Sequence, residues 1–310
     1  MTRKTIAIQT FAAALFLCQH LAWGAEGASS YYFPGSAGSF AVATAPPPGF
    51  TLVNQTFVYS ATASRAVVNG RALANLDVFA VYDYFGPLYA AKQKVAGGTF
   101  AVGAFIPLGH LSLDATITAA IGARTANARD LSIGDMALIP GSLHWNKGNI
   151  HFKVAEQIIA PTGHYNVNNV MNVGRNYWGF DTKAALTYLN MKRGLEISAA
   201  PGIEFNTKNE ATDYRTGNEF HSDFVVNQFL SKSFGLGVQA YYYNQVSPDT
   251  GTGAILGDFQ GESFGWGPAL FYAPKQAGGR LNITAKWLKD VHATQRLRGS
   301  YAVIVIGFKL

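Results

Sequence analysis

The chain has 310 residues, of which 14 % are charged and 13 % aromatic, and it carries 33 glycines. Its net charge of +6 is modest and gives no basis for binding nucleic acid. A mean hydropathy of +0.08 excludes a bundle of membrane helices, and no apolar run after the N-terminus approaches the ~20 residues such a helix needs.

The elements are read in chain order. Arg3 and Lys4 precede the apolar stretch Ile6 to Leu21, and Ala22-Trp23-Gly24 puts small residues before Ala25. Residues 1–24 therefore read as a secretory signal peptide. Cys18, the single cysteine, leaves with it, so the mature chain has no disulfide and its stability rests on the fold. Residues 25–49 differ from everything after them. They are rich in Gly and Ser and stop at Pro46-Pro47-Pro48-Gly49. Three placements are open: a disordered lead, a periplasmic strap, or a plug in the mouth of the fold. Tyr31-Tyr32-Phe33 argues against full disorder, because disordered segments are poor in aromatics.

From residue 50 onward the sequence alternates with period two. In 177–190, Trp178, Phe180, Ala184, Leu186 and Tyr188 oppose Asp181, Lys183 and Thr187. In 219–231, Phe220, Phe224, Val226 and Leu230 oppose Glu219, His221, Asp223 and Asn227. These runs are longer than the ~5–6 residues of globular strands and match the ~9–11 that a tilted strand needs to span a bilayer. Asn146-Lys-Gly-Asn149, Asn190-Met-Lys-Arg-Gly194 and Ser231-Lys-Ser-Phe-Gly235 read as tight turns. Longer polar connections, 161–176, 207–218 and 247–262, sit between them. Short turns alternating with long loops are the signature of an outer-membrane barrel.

Twelve strands are expected, near 50–61, 72–84, 98–121, 133–146, 149–160, 177–190, 193–206, 219–231, 234–247, 263–273, 280–290 and 300–310. In the third, the apolar parity changes after Pro107-Leu-Gly109, from Phe100, Val102, Ala104 and Ile106 to Leu111, Leu113, Ala115 and Ile117. A bulge keeps the count at twelve; a turn raises it to fourteen. Ala302, Ile304, Ile306, Phe308 and Leu310 place an apolar face on a strand that runs to the C-terminus, as barrel closure against the first strand requires. The fold class is all-β: a transmembrane antiparallel up-and-down barrel over residues 50–310.

Several stretches carry a family resemblance: Tyr31-Tyr-Phe-Pro-Gly35, Pro46-Pro-Pro-Gly49, Gly134-Asp135, Gly174-Arg-Asn-Tyr-Trp178, and Thr212 to Phe224. Together they resemble the outer-membrane family named for the meta pathway of phenol degradation. The resemblance implies a barrel in the outer membrane of Gram-negative bacteria, serving as a channel for aromatic or other hydrophobic compounds. It brings no catalytic residues.

If the apolar parity faces lipid, the opposite set faces the lumen: Asp77, Asp83, Asp114, His151, Lys153, Asp181, Lys183, Glu196, Glu204, Glu219, His221, Asp223 and Lys286. Tyr241 and Tyr243, and Phe79 earlier in the chain, fall in the same set and offer either a path for an aromatic solute or packing filler. Buried charges must pair, and Lys183 with Glu196 or Asp181 is the expected pair. Asp213, Arg215 and Arg175 lie at the extracellular ends, where they either steer solutes, bind lipopolysaccharide phosphates or are simply solvated. Ser142 and Ser222 lie near His144 and His221, but no G-x-S-x-G elbow is present. No metal motif or phosphate loop appears, so no enzyme and no cofactor is expected. The expected function is passive uptake of small hydrophobic or aromatic solutes. The rival is a closed structural or adhesive barrel whose extracellular loops bind partners. Expected partners are outer-membrane lipid and lipopolysaccharide, the barrel assembly machinery through the C-terminal strand, and a small hydrophobic solute.

Overall fold

The computed structural model describes residues 25–68, 71–119, 122–257 and 260–310; the expected signal peptide lies outside them. Thirteen strands follow in order: β1 (Gly49–Val68), β2 (Arg71–Val95), β3 (Gly98–Ala119), β4 (Gly122–Ile133), β5 (Met136–Lys147), β6 (Ile150–Ala160), β7 (Gly179–Asn190), β8 (Leu195–Asn206), β9 (Glu219–Ser231), β10 (Phe234–Gln245), β11 (Glu262–Tyr272), β12 (Leu281–Thr294) and β13 (Arg298–Lys309). β3 pairs with β4 through residues 108–119 and with β5 through 99–105. β4 and β5 are thus two halves of one stave, and the closed antiparallel barrel has twelve. Closure runs from Thr51↔Lys309 to Thr62↔Arg298, leaving no free edge in the membrane.

The break between β4 and β5 has a local cause. Pro107 of β3 has no N–H to donate, and only its carbonyl is used, accepting from Gly134 N at 2.9 Å. Asp135 then turns its carboxylate inward, where it accepts from Tyr31 Oη (2.8 Å), Gly163 N (2.9 Å) and Arg175 N (2.7 Å).

The expected parity change at Pro107 does not occur. Odd residues of β3 face the interior throughout: Thr99 and Ala101 before the proline, Leu111, Leu113 and Ala115 after it are all buried. Ile106 and Leu108 point outward. What changes is the chemistry of the two sides. β1, β2 and β3 run 20–25 residues, against 11–14 for β5 to β13, and their extra length projects beyond the bilayer on the side of the long loops. There the outer face meets water and carries Ser60, Thr62, Asp77 and Arg129, all exposed, while the inner face is apolar. Lower down, Phe152, Leu186, Ile197, Phe224, Val238, Trp266, Trp287 and Ile304 form the exposed apolar belt that suits lipid.

Gly86 on β2 lies where β2 and β3 approach closely, and a Cβ there would overlap the backbone carbonyl of Ala104 on β3. Gly86→Ala is expected to open the β2–β3 ladder and lower the urea midpoint of unfolding, by about 1–3 kcal/mol in stability. An unchanged midpoint would show that the two strands separate freely here.

The interior is not empty. Ala25 to Pro48 runs inside the barrel, and its backbone polar groups, cut off from water, are satisfied by inward side chains of the wall. Asp223 accepts from Gly35 N (3.0 Å), Ala37 N (2.8 Å) and Tyr32 Oη (2.5 Å). Glu196 accepts from Ala41 N (2.9 Å) and Val42 N (3.2 Å), and Thr187 Oγ1 from Ala43 N (3.0 Å). Asn227 Nδ2 (2.8 Å) and Gln239 Nε2 (2.5 Å) both donate to Ser39 O. Lys286 Nζ donates to the carbonyls of Gly35 and Gly38. Ala25 N donates to Gln245 Oε1 at 3.1 Å.

Candidate functional site

Above the inner segment, toward the long loops, lies a cavity of about 950 Å³, part of it open to solvent. β2 supplies Leu76, Val78 and Ala80 to its wall, and β3 supplies Leu111 and Leu113. The 161–178 loop folds inward over it, bringing Met171, Val173, Arg175 and Tyr177. Gly109 makes room for this loop, since a Cβ there would collide with the Val173 side chain. Asp130 fixes the loop by accepting from Val173 N at 2.8 Å. The inner segment forms the floor with Tyr32 and Phe33, beside Tyr59, Tyr82 and Tyr301 of the wall.

A second cavity of about 700 Å³ lies nearer the short turns and is more polar, with Gln55, Gln157, Asp181 and Lys183 in its lining. Tyr32 and Phe33 border both cavities. The Phe33 ring packs on Phe57 (centroids 4.8 Å apart) and Tyr82 (5.2 Å). Tyr32 stacks on His221 at 3.9 Å. These two rings form the partition between an apolar outer chamber and a polar inner one.

The sequence-derived lumen candidates separate into two groups. Asp77, Phe79, Asp83 and Asp114 face outward, contrary to expectation. Asp77, Phe79 and Asp114 are exposed, and the residues alternating with them, Leu76, Val78, Ala80, Leu113 and Ala115, are buried. Asp83 accepts from Asn54 Nδ2 (2.8 Å) and Thr56 Oγ1 (2.6 Å) on the outer face of β1, while Tyr82 and Tyr84 take the inner positions. The physical reason is that polar meant inward only where lipid lies outside and polar groups inside. Along Leu76 to Tyr82 of β2 and Leu111 to Leu113 of β3 the inside is the apolar chamber, while Tyr84 and Phe105 border the second cavity.

The remaining candidates lie inside. Asp181 pairs with Lys183 Nζ at 2.9 Å and contacts His221 Nε2 at 3.0 Å. Lys183 thus pairs with Asp181, and Glu196 holds the inner segment instead. Tyr241 donates to Asp290 and Tyr243 to Glu219, with Glu204 fully buried nearby on β8. His151 contacts Asn146 Oδ1 at 2.7 Å near a short turn, and Lys153 follows on the same face of β6. Asp223 and Lys286 act on the inner segment as described. Of the expected ion-pair eyelet, Glu196, Asp223 and Lys286 serve as anchors for backbone groups of the inner segment, while Asp181, Lys183, His221, Glu219, Tyr241 and Tyr243 bond one another or the wall.

Sequence reading missed Arg296, which no periodicity marks because it sits in the short 295–297 connection. It placed Arg175 among the loop-end charges, yet Arg175 turns inward and donates to Ser29 Oγ (2.7 Å) and Ser30 O (3.1 Å). Asp213 stays in the loops with Lys208 (3.0 Å) and Thr252, whose hydrogen bonds hold its carboxyl well below the usual range. Ser142 Oγ and His144 Nε2 do meet at 3.2 Å, but His144 Nδ1 faces the Ala43 carbonyl and not a carboxylate, so the pair lacks the third member of a hydrolytic triad.

Two carboxyls at the mouth carry a pH dependence. Burial pushes Glu26 up to about 7, against the opposing effects of Asn209 and Arg175, and pushes Asp249 up to about 6. A raised carboxyl stabilises the seated state fully below its ordinary value near 4.5, and that contribution is lost as pH rises through about 7. Residues 25–30 are expected to loosen as pH rises from about 4.5 to about 7. Hydrogen exchange at Ala28, corrected for intrinsic rate, is the check, and Glu26→Gln should remove the part of the dependence above about pH 6, leaving that of Asp249. Equal protection at both pH values would contradict it.

The model of the family described as "Putative MetA-pathway of phenol degradation" matches residues 59–304. The COG4313 outer membrane channel from Pseudomonas putida F1 superposes with a TM-score of 0.69 at 16 % identity, covering 89 % of this chain and 99 % of that one. The beta domain of the Bordetella autotransporter BrkA superposes with a TM-score of 0.55 at 8 % identity, covering 84 % and 100 %. No curated protein matches the chain. At these identities the structural likenesses establish the fold, that of an outer-membrane β-barrel.

Proposed function

Since the chain belongs to the family linked to the MetA pathway of phenol degradation, we propose that it is an outer-membrane channel that admits small hydrophobic or aromatic solutes passively. The observation that carries this reading is the apolar outer chamber, separated from a polar inner chamber by the Tyr32–Phe33 partition. A wide aqueous pore would have polar walls and no partition; an apolar chamber at the mouth favours a solute that leaves water readily. The printed name of the Pseudomonas barrel, an outer membrane channel, supports the same class. The inward hydrogen bonds need no energy source to break one at a time, so movement of residues 25–48 would be enough to connect the chambers. No step of this function requires catalysis.

The second reading, a closed barrel whose loops bind partners, is favoured by the number of wall groups committed to residues 25–48. Proteoliposome uptake separates the two. Phe33→Ala, which thins the partition, is expected to raise the entry rate of a small polar reporter about three- to tenfold, in line with about 1 kcal/mol of lost ring packing. An unchanged rate in folded protein would favour the closed barrel.

A further inference from the structure

The outer chamber holds two guanidiniums that its apolar walls do not explain. Arg175 and Arg296 both line it, and both reach the same residue of the inner segment: Arg175 Nη2 donates to Ser30 O, and Arg296 Nη2 to Ser30 Oγ, each at 3.1 Å. Neither takes part in any ion pair among the described residues. Arg296 is 7 % exposed and lies over the Tyr243 ring, 3.5 Å from its centroid, and its Nη1 has no hydrogen-bond partner. Tyr177 Oη, in the same lining, also has none. A buried guanidinium N–H without an acceptor is costly, and in a native site it marks where an acceptor is missing.

The opposing charges are few. Glu26 is the one carboxylate in the chamber's lining; its Oε2 accepts from Asn209, and burial raises its affinity for a proton. Behind the lining, Glu219 and Asp290 also face Arg296 from the barrel wall, each holding a tyrosine hydroxyl: Tyr243 on Glu219 and Tyr241 on Asp290. The chamber therefore offers apolar and aromatic walls with positive charge at its base. That combination suits an amphipathic solute better than a pure hydrocarbon, because guanidinium pairs with a carboxylate through two parallel hydrogen bonds.

We propose that the outer chamber selects small aromatic carboxylates, with the ring against Leu76, Val78, Leu111 and the tyrosines, and the carboxylate at Arg296 and Tyr177. The inference rests on the channel reading above and narrows its solute class. Carboxylate binding also gives the solute a means of displacing the Ser30 contacts, two residues before Tyr32 of the partition.

The test uses calorimetric titration of the refolded mature barrel in detergent at about pH 6, below the value near 7 at which Glu26 loses its proton, with benzoate and its neutral counterpart benzyl alcohol. Benzoate is expected to bind about tenfold more tightly, and Arg296→Gln to reduce that preference below about twofold. Tyr177→Phe, which leaves the charge in place, is expected to lower benzoate affinity about threefold; it keeps the proposal testable if the arginine variant does not fold. Benzyl alcohol binding as tightly as benzoate, or an unaltered preference in Arg296→Gln, would overturn the carboxylate assignment and leave the apolar chamber as a solute site. Failure of both compounds to bind would overturn the assignment together with the channel reading beneath it.

Discussion

Replacing Asp223 and Glu196 together by alanine is expected to turn the barrel into a leaky pore. Between them these carboxylates accept four backbone N–H groups of residues 25–48 and the Tyr32 hydroxyl. Hydrogen bonds to charged groups contribute ~1.5–3 kcal/mol each, and the orphaned N–H groups of the segment would then favour water over the barrel interior. A loss of about 5 kcal/mol shifts the displaced population of the segment on the order of 10³-fold. Liposome swelling in a small sugar reads this directly, and the rate should rise many-fold while the barrel itself persists. Swelling at the wild-type rate, in protein that retains heat-modifiable mobility, would mean that the segment is held by something else.

The second large effect concerns the outer face. Ile304 lies on the exposed face of β13 within the apolar belt, on the strand that closes the barrel against β1. Ile304→Lys is expected to cost about 2–4 kcal/mol, the cost of a lysine near the bilayer midplane, and to lower the folded fraction in urea titrations in lipid. Asp77→Leu, above the belt on the same outer surface, should change stability by less than about 0.5 kcal/mol. Equal effects for the two would show that the belt does not end where the polar outer residues begin.

The barrel itself was legible because its signal is repeated. Alternation over 11–14 residues at β7, β8 and β9, short turns such as Asn190 to Gly194, and the apolar terminal strand each point to the same architecture; the count of twelve staves holds, while β1 and β2 run well past their expected ends and β4 lies before the expected start of the fourth stave. The interior was less legible because parity gives two faces without saying what lies beyond each. At Asp181, Glu196 and Asp223 the polar side is inside. At Asp77 and Asp114 it is outside, since β2 and β3 rise past the lipid and enclose an apolar chamber. Leu111 and Leu113 looked like a parity change for the same reason: apolar side chains moved from the lipid side to the chamber side while the strand continued without interruption.

Residues 25–48 carry no period, so their course through the lumen could not be read from them. It depends on the spacing of acceptors around the wall, which exists only once the barrel has closed. Tyr31-Tyr32-Phe33 was the one local hint that the segment packs against something. Arg296 gave no hint at all: its role comes from the position of a short connection above Tyr243.

In the proposed function an apolar solute enters the lumen and passes the Tyr32–Phe33 partition. Single-channel conductance of the refolded mature protein in a planar bilayer, with phenol added to the bath, tests it most directly. Small, intermittent openings are expected, and phenol should reduce them in a concentration-dependent way as it occupies the outer chamber. A steady conductance indifferent to phenol, or a silent bilayer with correctly inserted protein, would contradict it.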